Sequence, residues 1–140
     1  MFKRLLLAAD GSEQAQRAAR MVRELASGAE PAAVCIVAPF APIPEYLGEP
    51  YREQAAATRR FEAEAAAKSL REELSEFKGA VDVQVLEGPA AQAILAVSET
   101  HRSDLILIGS QGLGTLSHLL AENDANPLER LARCPVMVVR

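Results

Sequence analysis

Ser103-Asp104-Leu105-Ile106-Leu107-Ile108-Gly109-Ser110-Gln111-Gly112-Leu113-Gly114-Thr115 joins a continuously apolar run to a glycine-rich turn. Leu105–Gly109 does not alternate polar with apolar, so it reads as a strand covered on both faces, as in a parallel sheet. Four other short, β-branched-rich runs punctuate the chain, most of them also continuously apolar: Leu5–Ala9, Ala33–Val37, Val81–Leu86 and Val136–Val139. Two-sided burial needs helices between the strands, and the intervening segments supply them.

Ala15, Ala18, Ala19, Val22, Leu25 and Ala26 recur at the spacing of one helical face. Asp10 and Glu13 can form a capping pair at the start of that helix, and Gly28 can stop it. A loop with Pro39, Pro42, Pro44 and Pro50 precedes an Ala/Glu/Arg helix expected from about Arg52 to Phe77, ending at Gly79. Its core face is drawn through Ala56, Phe61, Ala65, Leu70, Leu74 and Phe77. A third helix is expected over about Ala90–Thr100, facing inward with Ala90, Ala93, Ile94 and Val97. A short last helix is expected over roughly Leu128–Ala132, with Asn126-Pro127-Leu128-Glu129 as its N-cap, first-turn proline and capping-box Glu. The order is β-α-β-α-β-α-β-α-β. It specifies an α/β fold, an open five-stranded parallel sheet with helices on both faces and right-handed crossovers.

The 140 residues fit one domain, expected to span 1–140. With Trp absent and aromatics at 4%, the core has to be aliphatic. A net charge of −4 argues against a nucleic-acid face. No run reaches the roughly 18 to 20 apolar residues of a membrane span. The apolar stretch after Lys3-Arg4 ends too soon at Asp10-Gly11 for a secretory signal. A cytoplasmic location is the default expectation. Cys35 and Cys134 sit in apolar surroundings without a Cys/His cluster, and read as small buried hydrophobes.

In an open α/β sheet, ligands bind beyond the carboxyl ends of the strands, where the strand order reverses. Three features fall at such ends: Ala8-Ala9-Asp10-Gly11-Ser12, Ile36–Pro39 and Gly109–Gly114. Glycines let backbone N–H groups approach an anion closely, and the hydroxyls of Ser110 and Thr115 add donors. No Gly-Lys-[Ser/Thr] follows, and the three-glycine dinucleotide fingerprint after the first strand is missing. The stretch by itself therefore fits a plain surface turn as well as a phosphate cradle. His118 reads as a polar surface residue, and His101 as a residue ending a helix, where a cation suits the dipole. Ser12 reads as a first-turn residue, Thr58-Arg59-Arg60 as a solvated helix face. No Ser/His/Asp or Cys/His constellation can be assembled, and no enzymatic activity is expected.

From end to end the chain resembles the universal stress proteins. Leu5-Leu6-Leu7-Ala8-Ala9-Asp10-Gly11-Ser12 is similar to their first strand and turn. Glu87-Gly88-Pro89-Ala90 with Ile94-Leu95, the run Ser103–Ser110, and Cys134-Pro135-Val136-Met137-Val138-Val139 continue the likeness. The resemblance implies a homodimer paired through the C-terminal strand and an adenine-nucleotide site for ATP, with Mg²⁺. It places Asp10 on the ribose side, Ala8 and Ile36 along the adenine slot, and Gly109, Ser110, Gly112, Gly114 and Asn123 around the phosphates. The family's signature of Gly, two residues, Gly, nine residues, Gly-[Ser/Thr] is half present. Glu122-Asn123 stands where Gly-Ser belongs. A carboxylate about 4 Å from a phosphate charge costs roughly 4 kcal/mol at an effective dielectric near 20. The alternative expectation is accordingly a stress protein that has lost its nucleotide and works as an interaction module.

Overall fold

The structure is a computed structural model, and it describes residues 2–26, 32–109 and 127–140. The strands are β1 (Arg4–Ala8), β2 (Ala33–Phe40), β3 (Ala80–Glu87), β4 (Leu105–Gly109) and β5 (Val136–Val139). The helices are α1 (Glu13–Leu25), α2 (Tyr51–Glu73), α3 (Ala90–His101) and α4 (Pro127–Leu131), with a 3₁₀ turn at Glu45–Leu47. The sheet is five-stranded, in the order β3-β2-β1-β4-β5, and each pairing is parallel.

β1 lies at the centre and shows why a continuous apolar run is needed there. Leu5 and Leu7 point to one face with Val34, Ile36, Leu105 and Leu107, under α1 and α2. Leu6 and Ala8 point to the other with Cys35, Val37, Ile106 and Ile108, under α3 and α4. Both faces are dry, and each fully buried Leu or Ile contributes about 1.5–3 kcal/mol by leaving water. Asp104 fastens the amino ends of the two central strands. Its carboxylate accepts from the Lys3 and Arg4 backbone N–H groups at 2.8 and 3.0 Å, and its own N–H donates to the Arg4 carbonyl at 2.7 Å.

α1 buries Ala15, Ala18, Ala19 and Val22, the expected face. Its cap differs from the expected Asp10/Glu13 pair. Ser12 is the N-cap, its hydroxyl accepting from Ala15 N–H at 3.1 Å, while Asp10 sits one turn earlier and binds Ser12. Gly28, the expected stop, lies outside the described residues.

β2 runs three residues further than its apolar core, taking in Pro39. The Val37 carbonyl accepts from Ala9 N–H, so Val37 and Pro39 turn their backbone groups toward β1. β1 has ended by then, and the donor that proline lacks has no partner to miss.

α2 also departs from expectation. It ends at Glu73, and its inward residues are Ala63, Ala67 and Leu70, followed by Leu74 at the C-cap. Phe61, placed in the core by the sequence pattern, is 72% exposed, and Ala65 is exposed too. The helix starts beyond the sheet's edge, so only its second half has a core to face, and its alanines mark no face on their own. Arg59 corrects the reading of Thr58-Arg59-Arg60 as a solvated face. It donates to the carbonyls of Ala41 and Pro42, both at 3.0 Å, while the Arg60 guanidinium lies 5.0 Å from the Phe40 ring centroid. The pair holds the proline-rich connection against the helix.

α3 buries Ala90, Ala93, Ile94 and Val97 as expected. α4 begins at Pro127, with Leu128 wholly buried, while Asn126 is outside the described residues. β5 forms one edge of the sheet and is tied to α1 by Arg17, which donates to the Arg140 carbonyl at 2.7 Å.

Among the described residues no helix is long and apolar enough to cross a membrane. Cys35 is buried and Cys134 half-buried, both as free thiols. Burial, and secondarily the Asp82 charge, push the Cys35 thiol from its ordinary value of 9.0 up to about 11. Its folded value lies above its unfolded one, so its contribution to stability is complete below the unfolded value. That contribution declines as pH rises from roughly 9 to 11, because only the unfolded thiol ionises there. In urea denaturation, the stability advantage of the natural chain over Cys35→Ala is therefore expected to shrink between about pH 8 and 10.5. A constant difference would contradict the assignment.

Candidate functional site

From β1 the chain passes to β2 and β3 on one side, then crosses back to β4 and β5 on the other. The strand order reverses between β1 and β4, and a crevice opens there beyond their carboxyl ends. The segment Ala9–Ser12 enters it from β1 and Gly109 from β4.

The turn after β1 is built around Asp10. Gly11 takes φ +82°, a conformation that costs little only without a side chain, and this folds Ser12 back over the Asp10 carboxylate. Asp10 Oδ1 accepts from Ser12 N–H at 2.9 Å and from the Ser12 hydroxyl at 2.6 Å. The same hydroxyl accepts from Ala15 N–H, so one chain of bonds links Asp10 to the first turn of α1. That helix end carries positive partial charge, which favours a carboxylate beside it. Asp10 Oδ2 is different. It is buried and has no hydrogen-bond partner among the described residues. Leaving such an acceptor empty costs about 1–3 kcal/mol.

Gly109 is required by close approach. A Cβ on it would lie 2.9 Å from Gln14 Cβ, 3.2 Å from Ala15 N and 3.3 Å from Ser12 Oγ. The absence of a side chain therefore lets α1 settle directly against the end of β4. The sequence pattern identified this glycine through the loop it opens. Its contact with α1 depends on the strand order.

Asp10 and Gly109 thus come together at the switch point. Ala8 and Ile36 do not share a surface. Ala8 packs under α3 with Cys35 and Val37, whereas Ile36, 0% exposed, packs on the opposite face beneath α1 and α2. Ala8 pairs with Val37, and Ala9 donates to the Val37 carbonyl at 2.8 Å, so Ala38 and Pro39 stand level with Ala9 and Asp10. Ala38, 0% exposed, belongs to the same buried cluster as Ile36, and Pro39 is the residue that register sets level with Asp10. Ser110, Gly112, Gly114, His118, Glu122 and Asn123 lie outside the described residues. His101 is at the opposite end of the sheet, closing α3. Ser12, expected in the first turn, is instead the N-cap of α1. Among the described residues no group of three or more His, Cys, Asp or Glu could hold a metal ion.

With this geometry in place, comparison with known proteins identifies the class. The model of the universal stress protein family matches residues 1–140, and the chain belongs to that family. It is 38% identical over 142 residues to the universal stress protein in the QAH/OAS sulfhydrylase 3′ region of Thermus aquaticus, covering 100% of both chains. In structure it is similar to the hypothetical protein MJ0577, with a TM-score of 0.82 at 22% identity, over 99% of this chain and 96% of that one. It is also similar to a universal stress protein family protein from Arabidopsis thaliana with AMP bound. There the TM-score is 0.60 at 17% identity, over 98% of this chain and 90% of that one. At such identities the structural likenesses establish the shared α/β fold.

Ser12→Ala is expected to lower stability by about 1 kcal/mol through the lost cap. Gly109→Ala should cost about 1–3 kcal/mol by forcing α1 away from β4. Both are read from urea unfolding midpoints. A neutral Gly109→Ala would mean that α1 does not press on the strand end.

Proposed function

We propose that this chain binds an adenine nucleotide in the crevice between β1 and β4 and acts as a homodimeric, non-enzymatic stress-response regulator in the cytoplasm. The observation that carries the reading is Asp10 Oδ2, a buried carboxylate oxygen without a donor among the described residues, held at the switch point by a turn that spends the other oxygen on Ser12. A ribose hydroxyl is the kind of donor that would satisfy it. The base would then lie along the ends of β1 and β2, near Pro39, with Ala8 and Ile36 beneath that surface. The phosphates would extend toward Gly109, Ser110, Gly112, Gly114 and Asn123. The relative with AMP bound supports an adenine nucleotide, and ATP with Mg²⁺ is the form proposed for this chain. The Mg²⁺ would be held mainly by phosphate oxygens. The edge position of β5 supports dimer pairing along that strand.

A second reading is favoured by Glu122-Asn123, which stands where the family signature has Gly-[Ser/Thr]. On this reading the protein is an interaction module without nucleotide.

Titration calorimetry with ATP and Mg²⁺ separates the two. Saturable binding that is lost in Asp10→Ala is expected, and the absence of saturation at millimolar nucleotide would sink the first reading. Glu122→Gly combined with Asn123→Ser should tighten ATP binding by about tenfold or more, worth about 1.4 kcal/mol. Unchanged affinity would remove Glu122 from the site.

A further inference from the structure

A cavity of about 520 Å³ opens at the other end of the sheet, at the amino ends of β1, β2 and β3. That volume is in the range of small-molecule sites. Its floor is on the α3 face, where the helix packs mainly on β2 and β1 and leaves the start of β3 uncovered. Ala33, Cys35 and Ala80 form its floor, His101 and Ser103 from the end of α3 one wall, and Arg4 and Asp82 stand on either side. The Cys35 thiol stays protonated, so this floor is apolar and unreactive.

The polar groups around the floor are under-used. Ser103 Oγ is buried and has no partner among the described residues. Asp82 and the His101 imidazole make no hydrogen bond or ion pair with the described residues. Arg4 donates through one nitrogen to the His101 carbonyl at 3.2 Å, which fixes the guanidinium beside the α3 terminus and leaves further donors. Register sets the separation of the two charges. Arg4 pairs with Ala33, Ala33 with Ala80, and Asp82 lies two residues further on. The Cα atoms of Arg4 and Asp82 are therefore about 12 Å apart, two strand spacings across and two residues along. The side chains reach inward from both ends of that span.

We propose that this cavity is a binding site for a small zwitterion of the α-amino-acid type. Its carboxylate meets Arg4, Ser103 and His101, its ammonium meets Asp82, and its apolar body lies on Ala33, Ala80 and Cys35. Among the described lining residues Lys3 and Arg4 carry positive charge and Asp82 negative charge, so a ligand with opposed charges meets both signs on these walls. The site is separate from the crevice at Asp10 and does not rest on nucleotide binding.

Titration of the ¹⁵N-labelled full chain with each of the common amino acids, followed by amide shifts, tests the proposal. At least one should give saturable shifts at Ala33, His101 and Ser103 below about 10 mM. Capping that amino acid as its N-acetyl derivative or its methyl ester should each weaken binding by about tenfold or more. Asp82→Asn, on an exposed strand position, and Arg4→Gln should do the same while the spectrum shows an intact fold. Saturation by none of the amino acids, equal binding of either capped form, or unchanged affinity in Asp82→Asn would overturn it.

Discussion

The pairing of β1 with β4 is the constraint on which the rest of the molecule depends. These strands are neighbours in space although two strands and three helices separate them in the chain. Asp104 closes the amino end of the pair with three backbone-directed hydrogen bonds, and at the carboxyl end Gly109 lets α1 pack against β4. Between them, Leu5–Leu7 and Leu105–Leu107 are sealed on both faces. The crossover that produces this pairing is also what reverses the strand order, so one topological step creates both the core and the crevice.

At that crevice, local backbone needs and ligand chemistry share the same residues. Asp10 stabilises its own turn with one oxygen and keeps the other buried and unpaired among the described residues, an arrangement that costs stability unless a donor arrives. Ser12 both donates to Asp10 and caps α1, and the helix transmits the position of this turn to Gly109.

The two ends of the sheet differ in how their polarity arises. At the carboxyl end, the site is made by turns whose backbone is already spent on holding shape. At the amino end, Arg4, Asp82, His101 and Ser103 come from three strand starts and a helix terminus that are far apart in the chain. Parallel strands bring all their amino ends to one side, so charges that look scattered in the sequence become neighbours.

The apolar runs alone determined the strands, their two-sided burial and hence the parallel α/β architecture, because only a doubly covered strand dispenses with alternation. Asp10 and Gly109 were legible as candidates for the same reason: Asp10 directly follows such a run and Gly109 ends one. Tertiary structure decided the rest. Which alanines of α2 face inward depends on where the helix begins relative to the sheet, so Phe61 is left exposed despite its apolar character. Pro39 could join β2 only because β1 stops short of it. Register set Pro39, and not Ile36, level with Asp10, and the packing of the proline-rich connection drew Arg59 out of solvent. Burial periodicity is a local property that a sequence carries on its face, whereas register, element length and close approach are relations between segments that exist only once the chain has folded.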